Sequence, residues 1–75
     1  MSTTQIARQF SRDLAVKTGA ENYLVEPWDC SRGEPFTFLM TLTVKGEVIE
    51  GFLILGHDNN PPPLELAYER IMEQL

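Results

Sequence analysis

From Phe36 to Val44 apolar and polar residues alternate. Phe36, Phe38, Met40, Leu42 and Val44 share one parity, and Thr37, Thr41 and Thr43 sit on the other. Lys45-Gly46 follows, then a second β-rich arm from Glu47 to Leu55. Period-two alternation on either side of a two-residue turn with glycine predicts a β-hairpin with one buried face. Helical patterns lie at both ends of the chain. Ile6, Phe10 and Leu14 recur every four residues beside Ala7, which predicts a helix capped by Thr3 or Thr4 and running to about Thr18. Gly19 stands where a left-handed residue ends a helix. Leu64, Ala67, Tyr68, Ile71, Met72 and Leu75 fall at three- and four-residue steps, the clearest periodicity in the sequence. Asn59 or Asn60 is the expected cap of this second helix, and Pro61 to Pro63 form a stiff lead-in. Between the first helix and the hairpin, Asn22 to Trp28 reads as a short strand weakened at its end by Pro27, with a loop from Asp29 to Pro35. Gly56 to Pro63 is irregular by composition.

The order is α-β-β-β-α, an α+β chain forming one small domain over residues 1–75. Consecutive strands with short connections favour a three-stranded antiparallel meander carrying both helices on one face. The expected core is Phe10, Leu14, Phe38, Met40, Leu42, Leu53, Ala67 and Ile71. The pleat then sorts the strand residues. With Phe36, Phe38, Met40, Leu42 and Val44 turned to the helices, Thr37, Leu39, Thr41 and Thr43 face away. On the third strand Ile49, Gly51, Leu53 and Leu55 face inward, and Val48, Glu50, Phe52 and Ile54 outward. Tyr23 and Val25 share one side of the first strand, and Leu24, Glu26 and Trp28 the other. The uncovered face thus gathers Leu24, Trp28, Leu39, Phe52 and Ile54. A solvated antiparallel face is usually polar, and a contiguous apolar patch marks a partner site; the alternative is a one-residue shift or bulge on the third strand that turns Phe52 inward.

Composition narrows the function classes. The chain has 75 residues, 43% of them apolar, enough for a core but little surface to bury. Its net charge is −5, which opposes indiscriminate attraction to nucleic-acid phosphates. The charge is segregated: Arg8, Arg12 and Lys17 lie in the first helical pattern, while Asp58, Glu65, Glu69 and Glu73 crowd the C-terminal stretch. Cys30 is the single cysteine and His57 the single histidine, so neither an internal disulfide nor a cysteine-based zinc site is available. Cys30 and His57 are formally a nucleophilic pair, but no orienting residue accompanies them, and the expectation is a protein without catalytic, metal or cofactor sites. Glycine-rich phosphate loops are absent. Met1 to Ala15 carries charges and no apolar run, and no segment nears the ~20 apolar residues of a membrane span. The expected setting is cytoplasmic, with no membrane or small-molecule partner.

Asn22-Tyr23-Leu24-Val25-Glu26, Phe36-Thr37-Phe38 with its alternating apolar residues, Lys45-Gly46 at the hairpin turn and Gly51 in the third strand together carry a likeness. On these residues, and on the order of elements from about Ile6 to Leu75, the chain resembles the double-stranded-RNA-binding domain. That resemblance implies RNA contacts from helix 1, the loop between strands 1 and 2, and the start of helix 2. Gln5, Arg8, Gln9 and Arg12 on helix 1 suit either an RNA groove or plain solvent, and Arg32 in the loop is placed to touch a phosphate. The third departs from the family, because Pro61, Pro62, Pro63 and Glu65 stand where it has a lysine cluster, and the loop lacks the family's histidine. Duplex binding depends on neutralised phosphates, so the departure removes most of that attraction.

Two function classes follow. The first is a small acidic protein-interaction module, acting as homodimer, adaptor or inhibitor, of the kind expected of a phage or bacterial accessory protein, with Trp28, Leu39, Phe52 and Ile54 at its interface. The alternative is double-stranded RNA or other nucleic-acid binding through Gln5, Arg8, Gln9, Arg12 and Arg32.

Overall fold

The structure is a computed structural model, described here for residues 2–29, 35–56 and 60–75. Its elements are α1 (Thr3–Thr18), β1 (Asn22–Asp29), β2 (Thr37–Val44), β3 (Glu47–Ile54) and α2 (Leu64–Glu73). The three strands form one antiparallel sheet in the order β1-β2-β3. This is the α-β-β-β-α meander that the periodicities predict.

Local chemistry sets the ends of α1. Its cap is Ser2 rather than Thr3 or Thr4. The Ser2 hydroxyl accepts from Gln5 N–H at 3.2 Å, and Gln5 Oε1 accepts from Ser2 N–H at 3.2 Å, a reciprocal capping box. Thr3 lies inside the helix and is buried. At the other end Gly19 takes φ 74°, its N–H donating to Val16 O and Ala20 N–H donating to Ala15 O at 2.9 Å. The left-handed turn satisfies carbonyls that the helix leaves open.

The hairpin turn consists of Lys45 at φ 52° and Gly46 at φ 80°, both left-handed as a tight two-residue turn requires. From it the β2–β3 ladder runs without interruption from Val44↔Glu47 to Thr37↔Ile54. Leu55 N–H donates to Phe36 O at 2.7 Å, one step beyond the strands. On the other side β1 pairs with β2 from Asn22↔Thr43 to Pro27↔Phe38, then shifts between Pro27 and Asp29. An edge strand tolerates Pro27 because only one side of it is paired.

Burial in β2 alternates with a period of two, and Phe38, Met40, Leu42 and Val44 are all buried. They join Ile49, Leu53 and Leu55, the α1 residues Ala7, Phe10, Leu14 and Ala15, and Ile71 of α2 in one cluster, so both helices serve the same face of the sheet. Every expected core residue belongs to this cluster except Ala67, which packs against it half-buried. Phe36 departs from the expected inward parity: it precedes β2, in a bend, and is exposed. Tyr23, near the start of β1, is exposed as well, while Val25 is half-buried.

The second helix is less embedded than its periodicity suggests. It ends at Glu73, and only Ile71 is buried. Met72 and Leu75 are exposed although they share its apolar spacing. Its N-cap is Pro63, without a side-chain cap bond, rather than Asn60; Asn59 lies outside the described residues. The reason is positional. The helix leans on α1, where Lys17 Nζ lies 3.7 Å from Glu65 Oε1 and 5.5 Å from the centre of the Tyr68 ring. Between α2 and the sheet a cleft of about 250 Å³ remains, walled by Phe10, Met40, Gly51, Leu53, Ala67 and Ile71 among others.

Candidate functional site: the open sheet face

Antiparallel pairing fixes which side chains meet on the face away from the helices. One row across the sheet is Glu26–Leu39–Phe52, the next is Leu24–Thr41–Glu50, and beyond it lies Asn22–Thr43–Val48. Ile54 stands opposite Thr37 at the other end. No helix covers these rows, since both contribute to the core on the opposite face. Leu24, Trp28, Val48, Phe52 and Ile54 are each 53–67% exposed, and Leu39 is partly buried among them.

Trp28 reaches this face in a way that simple alternation does not describe. The register shift between Pro27 and Asp29 leaves Trp28 without a partner of its own on β2. Such an irregularity bends an edge strand and re-aims its side chains. The indole packs edge-on against Phe52, with ring centres 5.2 Å apart and planes inclined at 67°. Edge-to-face pairs of this kind are worth about 0.5–1.5 kcal/mol beyond the area they bury. The two rings join the edge strands β1 and β3, and Leu39, on the central strand between them, is the most sheltered of the set. Sequence reasoning anticipates Trp28 on this face but not its aromatic partner, since the bulge is set by the meeting of two strands.

The face also carries Glu26 and Glu50, both exposed. Glu26 lies between Leu24 and Trp28 along β1, and Glu50 between Val48 and Phe52 along β3. Among the described residues no lysine, arginine or histidine sits at an outward position of the three strands.

The residues expected for nucleic-acid contact lie elsewhere. Gln5, Arg8, Gln9 and Arg12 line one shallow depression on α1, with Tyr23 of β1 at its edge. Two of the four are engaged within the helix, Gln5 in the capping box and Gln9 through its Nε2, which donates to Asp13 Oδ1 at 3.0 Å. Arg32 lies outside the described residues, as do Cys30 and His57. At the start of α2 the Glu65 carboxylate, 77% exposed, meets Lys17, so this end presents an ion pair where duplex RNA needs free cations.

No family model, curated protein or solved structure matches this chain. No helix among the described residues is long and apolar enough to cross a membrane. No three His, Cys, Asp or Glu side chains among them gather closely enough to hold a metal ion.

Proposed function

We propose that this protein is a non-enzymatic protein-interaction module whose docking surface is the open face of its sheet. One observation supports this reading above the rest: an aromatic pair, Trp28 on Phe52, stands on an uncovered face with Leu24, Val48 and Ile54, each more than half exposed. A small domain with few apolar residues to spare spends several of them outside its core. Fully covering such side chains returns about 1.5–3 kcal/mol each. Aromatic anchors surrounded by aliphatic residues are also the usual energetic centre of a protein interface. Either a second copy or a different protein satisfies this logic as an adaptor's or inhibitor's partner. The single cysteine accords with a cytoplasmic setting.

The test is a substitution that spoils the face and spares the core. Phe52→Glu and Ile54→Glu should keep the circular-dichroism spectrum and the cooperative melt while abolishing association, read by sedimentation for self-assembly and by affinity capture for a partner. Unfolding of both variants, or association that neither variant alters, would remove the sheet face from consideration.

The clustering of Arg8 and Arg12 with Gln5 and Gln9 in one depression favours a second reading, contact with a nucleic-acid backbone through α1. A titration with a duplex RNA of ~20 base pairs at ~150 mM salt separates the two, because phosphate contacts weaken steeply with salt. Submicromolar binding lost in Arg8→Glu/Arg12→Glu would move the function to α1.

A further inference from the structure

Resting on the interaction-module reading, we infer that the occupant of the open face is a foreign protein segment presenting apolar side chains together with at least two arginines or lysines, and that it is not a second copy of this chain. The positions of Glu26 and Glu50 lead there. Glu26 lies on edge strand β1 and Glu50 on edge strand β3, each set between apolar outward neighbours along its own strand. Glu26 has Leu24 and Trp28 as its outward neighbours along β1 and faces Leu39 across the ladder. Glu50 has Val48 and Phe52 as its outward neighbours along β3. A surface that covers the apolar side chains of all three strands is brought against these two groups as well. Carboxylates taken from water without a counter-charge are strongly unfavourable, and pairing them offsets the loss.

In a face-to-face pair of copies the described strand positions supply no counter-charge. The outward strand positions hold no cation among the described residues, so a symmetric pair brings together the carboxylates of both faces and nothing to neutralise them. The chain's net charge of −5 adds to the repulsion. Lys45, the nearest cation along β2–β3, is in the exposed hairpin turn at the end of the sheet rather than among the apolar rows.

A partner with cations set among apolar residues fits on both counts. Glu26 and Glu50 lie two strands apart and one outward step apart along the sheet, a diagonal of about 12 Å from standard strand spacings. The partner's two cations should be separated by a similar span. Arginine suits the Glu26 position in particular, since its planar head pairs with a carboxylate in two places and stacks on an indole such as neighbouring Trp28.

The experiment is selection of random 16-residue peptides displayed on phage against the immobilised wild-type chain, combined with sedimentation of the same protein. Selected peptides are resynthesised and titrated against wild type, Glu26→Gln/Glu50→Gln, Phe52→Glu and Ile54→Glu, each checked for folding by circular dichroism. The expected result is a monomeric wild type and peptides enriched in Arg or Lys alongside Trp, Phe, Leu or Ile. Their affinity should fall about 10-fold or more in Glu26→Gln/Glu50→Gln, with a shallower salt dependence. It should be lost in whichever of Phe52→Glu and Ile54→Glu remains folded. Neutral or acidic peptides, or binding indifferent to the double neutralisation, overturn the inference and leave the interaction face standing. A wild-type dimer that Phe52→Glu or Ile54→Glu dissociates does the same, assigning the face to a second copy. A monomer with no peptide sensitive to either face variant overturns the inference and the interaction-module reading together.

Discussion

Ser11 is fully buried on α1, and its hydroxyl has no hydrogen-bond partner among the described residues. A buried polar atom without a partner costs its lost hydration, and serine is also a poorer helix former than alanine. Ser11→Ala should therefore stabilise the fold by about 1 kcal/mol, raising Tm by roughly 4–8 °C for a domain of this size. A lower Tm in a calorimetric scan would show that the hydroxyl has a use in the native state. Lys45 presents the complementary case, a side chain held at φ 52° where most residues are strained. Asparagine tolerates that conformation and a β-branched residue does not. Thermal melts should rank Lys45→Asn above wild type and wild type above Lys45→Val, the latter losing on the order of 1 kcal/mol. The reverse order would mean that the turn changes type on substitution.

The hairpin of β2 and β3 has two faces with different tasks, and two phenylalanines report on them. Phe38 is fully buried, opposite Leu53, while Phe52, opposite Leu39, is more than half exposed. Phe38→Ala should cost about 3–5 kcal/mol. Small domains have only ~5 kcal/mol to lose, so this variant should be largely unfolded at room temperature. Phe52→Ala removes chiefly the edge-on contact with Trp28 and should cost about 1 kcal/mol. Urea titrations of the two variants measure the contrast. Equal losses would mean that the outer face is as much a part of the folding core as the inner one.

At the scale of the whole molecule, α2 is anchored by Ile71 and by its contacts with α1, and it leaves the cleft over Gly51 open. Gly51 faces that cleft from β3, and a Cβ built on it meets no atom within 4 Å. Its φ is not in the left-handed region, so glycine is not required by the backbone. Gly51→Val should consequently be accommodated, with stabilisation of about 0.5–1 kcal/mol from a less free unfolded chain and a β-branched residue in a strand. A rise in the urea midpoint checks this. A fall would indicate that α2 closes on the sheet in solution and needs the space.

Periodicity alone determines a good deal in this chain. It is a local property, and the alternation in β2, the Lys45-Gly46 turn, Gly19 and the four-residue stripe of α1 each have a local cause that neighbours in sequence supply. The pairing of strands then makes one parity the core, and so the outward positions of Leu39, Phe52 and Ile54 are legible in the sequence. Other features depend on encounters between distant segments. The shift at Trp28 arises where β1 meets the start of β2, and it brings the indole to Phe52. Phe36 has the right parity and the wrong place, because the chain is still bending into the sheet there. Met72 and Leu75 have the right spacing and remain exposed, because α2 rests on α1 and touches the sheet mainly through Ile71. Ser2 rather than Thr3 caps α1 because the reciprocal bond with Gln5 selects the residue three positions earlier. A repeating pattern specifies which side chains share a face. What covers that face, and which charges come to lie within it, is decided only when the elements pack.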